Sequence, residues 1–94
     1  MAALSYLGAL DTGHGAFPPR PAIAGSPDFI IGGKPALRVD DPFAVHCVPN
    51  SCHAGAVSAG SSTFFVNGKP AARIGDLISC GSAIAQGDPT IDIG

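Results

Sequence analysis

Three histidines and three cysteines are the side chains of this 94-residue chain best suited to holding a centre in place. His14 lies in ALDTGHGAFPPRP (residues 9–21), and His46, Cys47, Cys52 and His53 lie in FAVHCVPNSCHAGA (residues 43–56). Cys80 stands apart in Ile78-Ser79-Cys80-Gly81. Imidazole nitrogen and thiolate sulfur both suit Zn²⁺. The spacing matches no common zinc signature, because neither Cys-x-x-Cys nor His-x-x-x-His occurs. The set that suggests itself is His14, His46, His53 and Cys80, three imidazoles and one thiolate. Four protein ligands leave no open position, so such a site is structural rather than catalytic. Cys47 and Cys52 compete as ligands, with Cys52 directly beside His53, or they form a short disulfide. An odd number of cysteines cannot be fully paired within one chain.

The elements that must position these groups are predicted to be β. Gly (13) and Pro (9) make up almost a quarter of the residues and are the poorest helix formers, which excludes a helix bundle. With 46% hydrophobic and 13% charged residues, the chain is no disordered tail. A net charge of −2 without a Lys/Arg cluster argues against nucleic acid as a partner. The length suits a single domain, residues 1–94, whose small core would gain from a metal or disulfide staple. No apolar run approaches a membrane span, and Met1 to Leu10 lacks the basic start of a signal peptide. If the protein leaves its cell, it does so by a route other than an ordinary cleaved signal.

Self-similarity gives the architecture. GSPDFIIGGKPALRVDDP (25–42) aligns without a gap to GSSTFFVNGKPAARIGDL (60–77), 35 positions later. IAQGDPTIDIG (84–94) aligns at an offset of 27 to VSAGSSTFFVN (57–67), and ends where a hairpin turn would begin. Asn67-Gly68 and Gly32-Gly33 are hairpin-turn dipeptides, since each tolerates positive φ. Pro35 and Pro70 lack the N–H that a continued ladder requires, so their strands should be edges or leave the sheet early. Alternation directs residues 29, 31, 64, 66, 91 and 93 inward and Ile30, Phe65 and Asp92 outward. Apolar Ile30 and Phe65 then need cover from the chain or from a partner. The offset also brings position 45 into line with Cys80, so His46 and Cys80 occupy nearly equivalent places. The stretches between repeats, rich in Gly, Pro, Asn and Ser, read as loops.

Lesser features have simple readings. Arg38 with Asp41 and Arg73 with Asp76 form local i,i+3 pairs, worth about 0–1 kcal/mol at a surface. Pro18-Pro19-Arg20-Pro21 is a stiff connector rather than a polyproline ligand.

The chain resembles the PAAR-repeat family. The name-giving tetrapeptide stands as Pro70-Ala71-Ala72-Arg73 within Asn67 to Asp76, with a degraded copy at Pro35-Ala36-Leu37-Arg38. Asp11-Thr12-Gly13-His14-Gly15 and Val45-His46-Cys47 fit the same style, and the likeness covers essentially the whole chain. Copy one departs at Leu37 and Asp40, where copy two has Ala72 and Gly75. The resemblance implies an all-β, small conical domain of short hairpins with pseudo-threefold repeats and a zinc-stapled apex. It implies a non-enzymatic tip on the trimeric spike of a type VI secretion system or contractile phage tail. The implied zinc is a single structural ion held by His14, His46, His53 and Cys80. The implied partners are a trimeric VgrG-like or phage spike protein and, transiently, the target membrane. Effector cargo is a further partner that the family allows, although 94 residues read as a bare tip. The protein would be cytoplasmic before assembly and then injected or carried on the virion tail. Ile30 and Phe65 are the candidate spike contacts.

Two alternatives remain at this level. A zinc hydrolase would need Cys80 off the metal and an acid such as Asp11 or Asp41 as base. A secreted module would be stapled by Cys47–Cys52.

Overall fold

The repeats are predicted to fold as short hairpins, and they do. The computed structural model describes residues 2–15, 17–48 and 51–94, among which there is no helix. Strand β1 is Ala2–Ala3, β2 Ile30–Ile31, β3 Lys34–Pro35, β4 Pro42–Val48, β5 Ser51–Ala56, β6 Phe65–Val66, β7 Lys69–Pro70 and β8 Asp92–Ile93. Hairpins β2-β3 and β6-β7 share one register, with Ile30 opposite Pro35 and Phe65 opposite Pro70. Both ladders stop at the proline.

The third copy is completed from the other end of the chain. β8 pairs antiparallel with β1, Asp92 opposite Ala3 and Ile93 opposite Ala2. Ala2–Ala3 thus take the place beside β8 that β3 and β7 take in the other two hairpins. Nothing in the linear repeat signals this, because residues 2–9 share almost no identity with 34–41 or 69–76. The backbone reveals the equivalence. Leu37 N–H donates to Ser5 O, Ala72 N–H to Leu37 O, and Ser5 N–H to Ala72 O. Leu7, Val39 and Ile74 donate in the opposite sense round the same cycle, to Pro35, Pro70 and Ala3. Each repeat therefore hydrogen-bonds to the next, and the third closes on the first. The turn at Gly8, Asp40 and Gly75 has positive φ in all three copies (90°, 78° and 90°). Asp40 fills a place that glycine takes twice, as an aspartate can in the left-handed region.

The predicted faces hold. Ile31, Val66 and Ile93 are buried, and Phe29, Phe64 and Ile91 pack against the same cluster with Leu4, Ala36 and Ala71. Phe29 and Phe64 meet edge to face, 5.7 Å apart. Ile30 and Phe65 point outward, 53% and 55% exposed, and Asp92 is exposed. A second cluster, Ala22, Leu37, Phe43, Val57, Ala72, Ile78 and Ile84, lies between this base and the histidine-bearing hairpin. The Arg–Asp pairs are more deeply set than surface pairs. Arg38 Nη2 lies 2.9 Å and Arg73 Nη2 2.8 Å from the paired carboxylate, and each arginine N–H also donates to that carboxylate.

The stretches read as loops are hairpins. Leu10 bridges Pro21, Pro42 pairs with Ala56, and Leu77 bridges Ala83, at equivalent places in the three repeats. β4-β5 is the longest ladder among the described residues. Turn-forming composition misled here because neighbouring repeats supply partners: Ala44 N–H donates to Pro21 O, and Ser79 N–H to Ala56 O. The molecule measures 38 × 24 × 21 Å. No helix is long and apolar enough to cross a membrane.

Candidate metal centre

Each of the three hairpins beyond the second core contributes donors. His14 comes from the first, where it exchanges both backbone hydrogen bonds with Phe17. His46 and His53 are directly opposed on β4 and β5. Cys80 sits at the turn of the short hairpin around residues 77–83. One ligand atom from each of His14, His46, His53 and Cys80 lies within 4.8 Å of every other. These are the four residues that the sequence singled out.

Strand alternation separates the remaining cysteines from this group. His46 and His53 face the cluster, whereas Cys47 and Cys52, one position outward on each strand, form an exposed disulfide. Of the options left open for these two residues, the structure takes the pair. Cys80 is the free cysteine.

The ring nitrogens are arranged as a ligand set. His53 Nε2 is 2.9 Å from His14 Nε2 and 2.6 Å from His46 Nε2. His46 Nδ1 lies 2.9 Å from Pro18 O. A carbonyl only accepts, so Nδ1 carries the proton and Nε2 presents a lone pair to the cluster. His53 titrates below the ordinary histidine range. Desolvation is the main cause, followed by the repulsion that His46 and His14 exert when protonated and by the Arg20 charge. Three imidazole nitrogens converging on one point cannot satisfy one another with the protons available, whereas one cation satisfies all of them. The residues present therefore fit a metal of borderline softness with N and S ligands.

Two further parts were missed in the sequence. Phe17 walls the cluster, its ring centroid 4.3 Å from that of His53 and 4.9 Å from those of His14 and His46. The second part is a buried ion pair beneath the donors. Arg20 Nε donates to Asp11 Oδ2 at 3.0 Å, and both side chains are almost wholly buried. Burial alone would raise the Asp11 carboxyl. The N–H groups of Arg20 and Gly13, the Ser82 hydroxyl and the guanidinium outweigh it and hold the group below its ordinary value. The connector Pro18-Pro19-Arg20-Pro21 thus carries a core residue. A local signal for Arg20 was absent, because its environment is assembled from all three repeats.

A family model for the PAAR motif matches residues 12–86. The chain belongs to the PAAR family. The match spans all four donors and both gap-free repeats. No curated protein matches the chain. PAAR membership supports a structural spike-tip role in a secretion system or phage tail, and the His₃Cys group supports a possible metal site.

Proposed function

We propose that residues 1–94 of this PAAR protein act as one non-enzymatic tip domain that caps the trimeric β-helical spike of a type VI secretion system or contractile tail. The observation that carries this reading is the closed pseudo-threefold ring of hairpins at the end of the molecule away from the histidines. A single chain docking on a trimer meets three equivalent surfaces, and three equivalent hairpins match them. Ile30 and Phe65, exposed on corresponding strands, are the proposed apolar contacts with a VgrG-like or phage spike. They would cover strand edges and apolar surface that a bare spike end exposes.

At the opposite end, His14, His46, His53 and Cys80 are the proposed ligands of one structural zinc. The ion would tie three hairpins that share little apolar core of their own. A hydrolytic reading finds less support: Asp11 is paired with Arg20 and Asp41 with Arg38, so neither carboxylate is free to act as a base. On this reading the domain waits in the cytoplasm, then travels outward on the spike into contact with the target membrane. Effector cargo, where present, would ride with it.

Metal content per chain tests the zinc, and co-sedimentation with a trimeric spike tests the cap. About one zinc per wild-type chain, lost in Cys80→Ser and kept in Cys52→Ser, is the expected result. A folded wild type without metal would refute the zinc. A wild type that fails to bind any trimeric spike would refute the cap.

A further inference from the structure

The buried Asp11–Arg20 pair occupies a place where the rest of the molecule is apolar or small. Asp11 corresponds to Phe43 and Ile78 in the other two repeats. The bridges Asp11 to Ile84, Ala22 to Phe43, and Val57 to Ile78 are successive steps of one cycle. Arg20 corresponds by the same rule to Gly55 and Ser82. Phe43 and Ile78 are core residues with 1–2% exposure, so this layer is readily filled without charge. A buried ion pair is commonly no more stabilising than apolar residues of similar volume. Fold stability alone therefore does not explain its presence.

The contacts of the guanidinium offer an explanation. Nη2 lies 2.6 Å from Cys80 Sγ. Nη1 donates to Ala44 O at 3.0 Å and to His53 O at 3.3 Å. The Arg20 backbone belongs to the hairpin of His14. One planar group thus touches the sulfur donor, the backbone of one histidine donor, and the strand carrying another. Asp11 holds it from behind, itself fixed by Ser82 Oγ at 2.8 Å and the N–H groups of Arg20 and Gly13. Gly55 leaves room for it, since a Cβ there would lie 2.6 Å from Arg20 Nη2 and 3.2 Å from Cys80 Sγ.

We infer that Arg20, held by Asp11, is a positioning residue for the metal centre. It sets the place and orientation of Cys80 Sγ relative to the three histidines and makes the four donors one preorganised site. This rests on the reading of His14, His46, His53 and Cys80 as metal ligands. Lysine could not replace Arg20, because a single ammonium lacks the fork that reaches two carbonyls and a sulfur together.

The test uses Co²⁺ alone as the probe, titrated into metal-stripped protein, with heat unfolding of the stripped protein as the control for fold. In Asp11→Val/Arg20→Met the pair becomes apolar, as Phe43 and Ile78 already are at the position of Asp11. Its metal-free thermal midpoint should match or exceed that of wild type. Its Co²⁺ affinity should fall about 10–100-fold, the usual cost of losing an outer partner of a ligand. Loss of the N–H donor on sulfur should also move the sulfur-to-cobalt charge-transfer band to lower energy. Arg20→Lys keeps the charge beside Asp11 and should show a smaller fall in affinity with the same direction of band shift. It also serves if the double variant does not fold. Wild-type affinity and an unmoved band in a folded variant would overturn the inference while leaving the ligand set intact. A wild type that binds no Co²⁺ would end both readings.

Discussion

The two ends of this protein are built on the same backbone plan and held by different means. At the base, three hairpins of near-identical register bury Ile31, Val66 and Ile93 with Leu4 at their centre, and the packing is apolar and repetitive. At the other end, three hairpins leave equivalent positions and then diverge in length and composition. Few apolar side chains join them. A disulfide, a buried ion pair and a His₃Cys cluster take that place. The difference shows where a small fold can spend its symmetry. A hydrophobic base can repeat itself because burial is non-directional, whereas the His₃Cys cluster draws one residue from the first hairpin, two from the second and one from the third.

The comparison breaks most directly at the base. Leu4→Ala removes a fully buried side chain from the ring's closing strand and should cost about 2–5 kcal/mol. Heat unfolding checks this. The folded fraction should still bind metal, and a variant as stable as wild type would mean that the base is not packed around Leu4.

Metal removal addresses the opposite end. At free metal a hundredfold above Kd, the linkage is worth about 2.7 kcal/mol, or about 10–20 °C in a domain of this size. Chelation should lower the thermal midpoint of wild type by that amount and leave His53→Ala nearly unaffected. Acid should act in the same direction. His53 is held below its ordinary value of 6.5, so below that pH the unfolded chain binds a proton that the folded chain resists. Stability is therefore full above 6.5 and falls as pH drops below it. Competition between protons and metal for imidazole makes the fall steeper in the loaded protein. Thermal midpoints measured between about pH 8 and 5, with and without metal, would contradict this if the two curves ran parallel.

The disulfide should matter less. Cys47 and Cys52 close a loop of five residues' separation beside the opposed His46 and His53. Replacing both by serine should cost about 2 kcal/mol, the lower part of the usual range for a short loop, with a loss of metal affinity smaller than that of any ligand variant. Isothermal titration with zinc measures the second effect. The smallest change in stability belongs to Ile30→Asp/Phe65→Asp. These exposed sites should each shift stability within about 0.5 kcal/mol, while co-sedimentation with the spike should be lost. Unchanged spike binding in that folded variant would remove these two residues from the proposed contact.

The grouping of His14, His46, His53 and Cys80 was legible in the sequence because histidine and cysteine are scarce here and the repeat offset placed His46 near Cys80. The inward and outward faces of 29–31, 64–66 and 91–93 were legible because a strand alternates with a period of two, whatever surrounds it. The loops of 9–21 and 43–56 were misread: each folds back on itself as a hairpin, and neighbouring repeats hold its flanks, as Pro21 O holds Ala44 N–H.

What the sequence determined by itself is the repeated β unit, its buried face and the residue types able to hold a metal. Each of these is written locally, in alternation, turn dipeptides and side-chain chemistry. Three things were decided only by the tertiary structure: the closing of the third hairpin by Ala2–Ala3, the pairing of Cys47 with Cys52, and the seating of Arg20 against Cys80 across sixty positions. The closed ring brings Ala2–Ala3 beside β8 and Arg20 beside Cys80, and the β4-β5 register sets Cys47 opposite Cys52. Chain order alone does not specify these proximities.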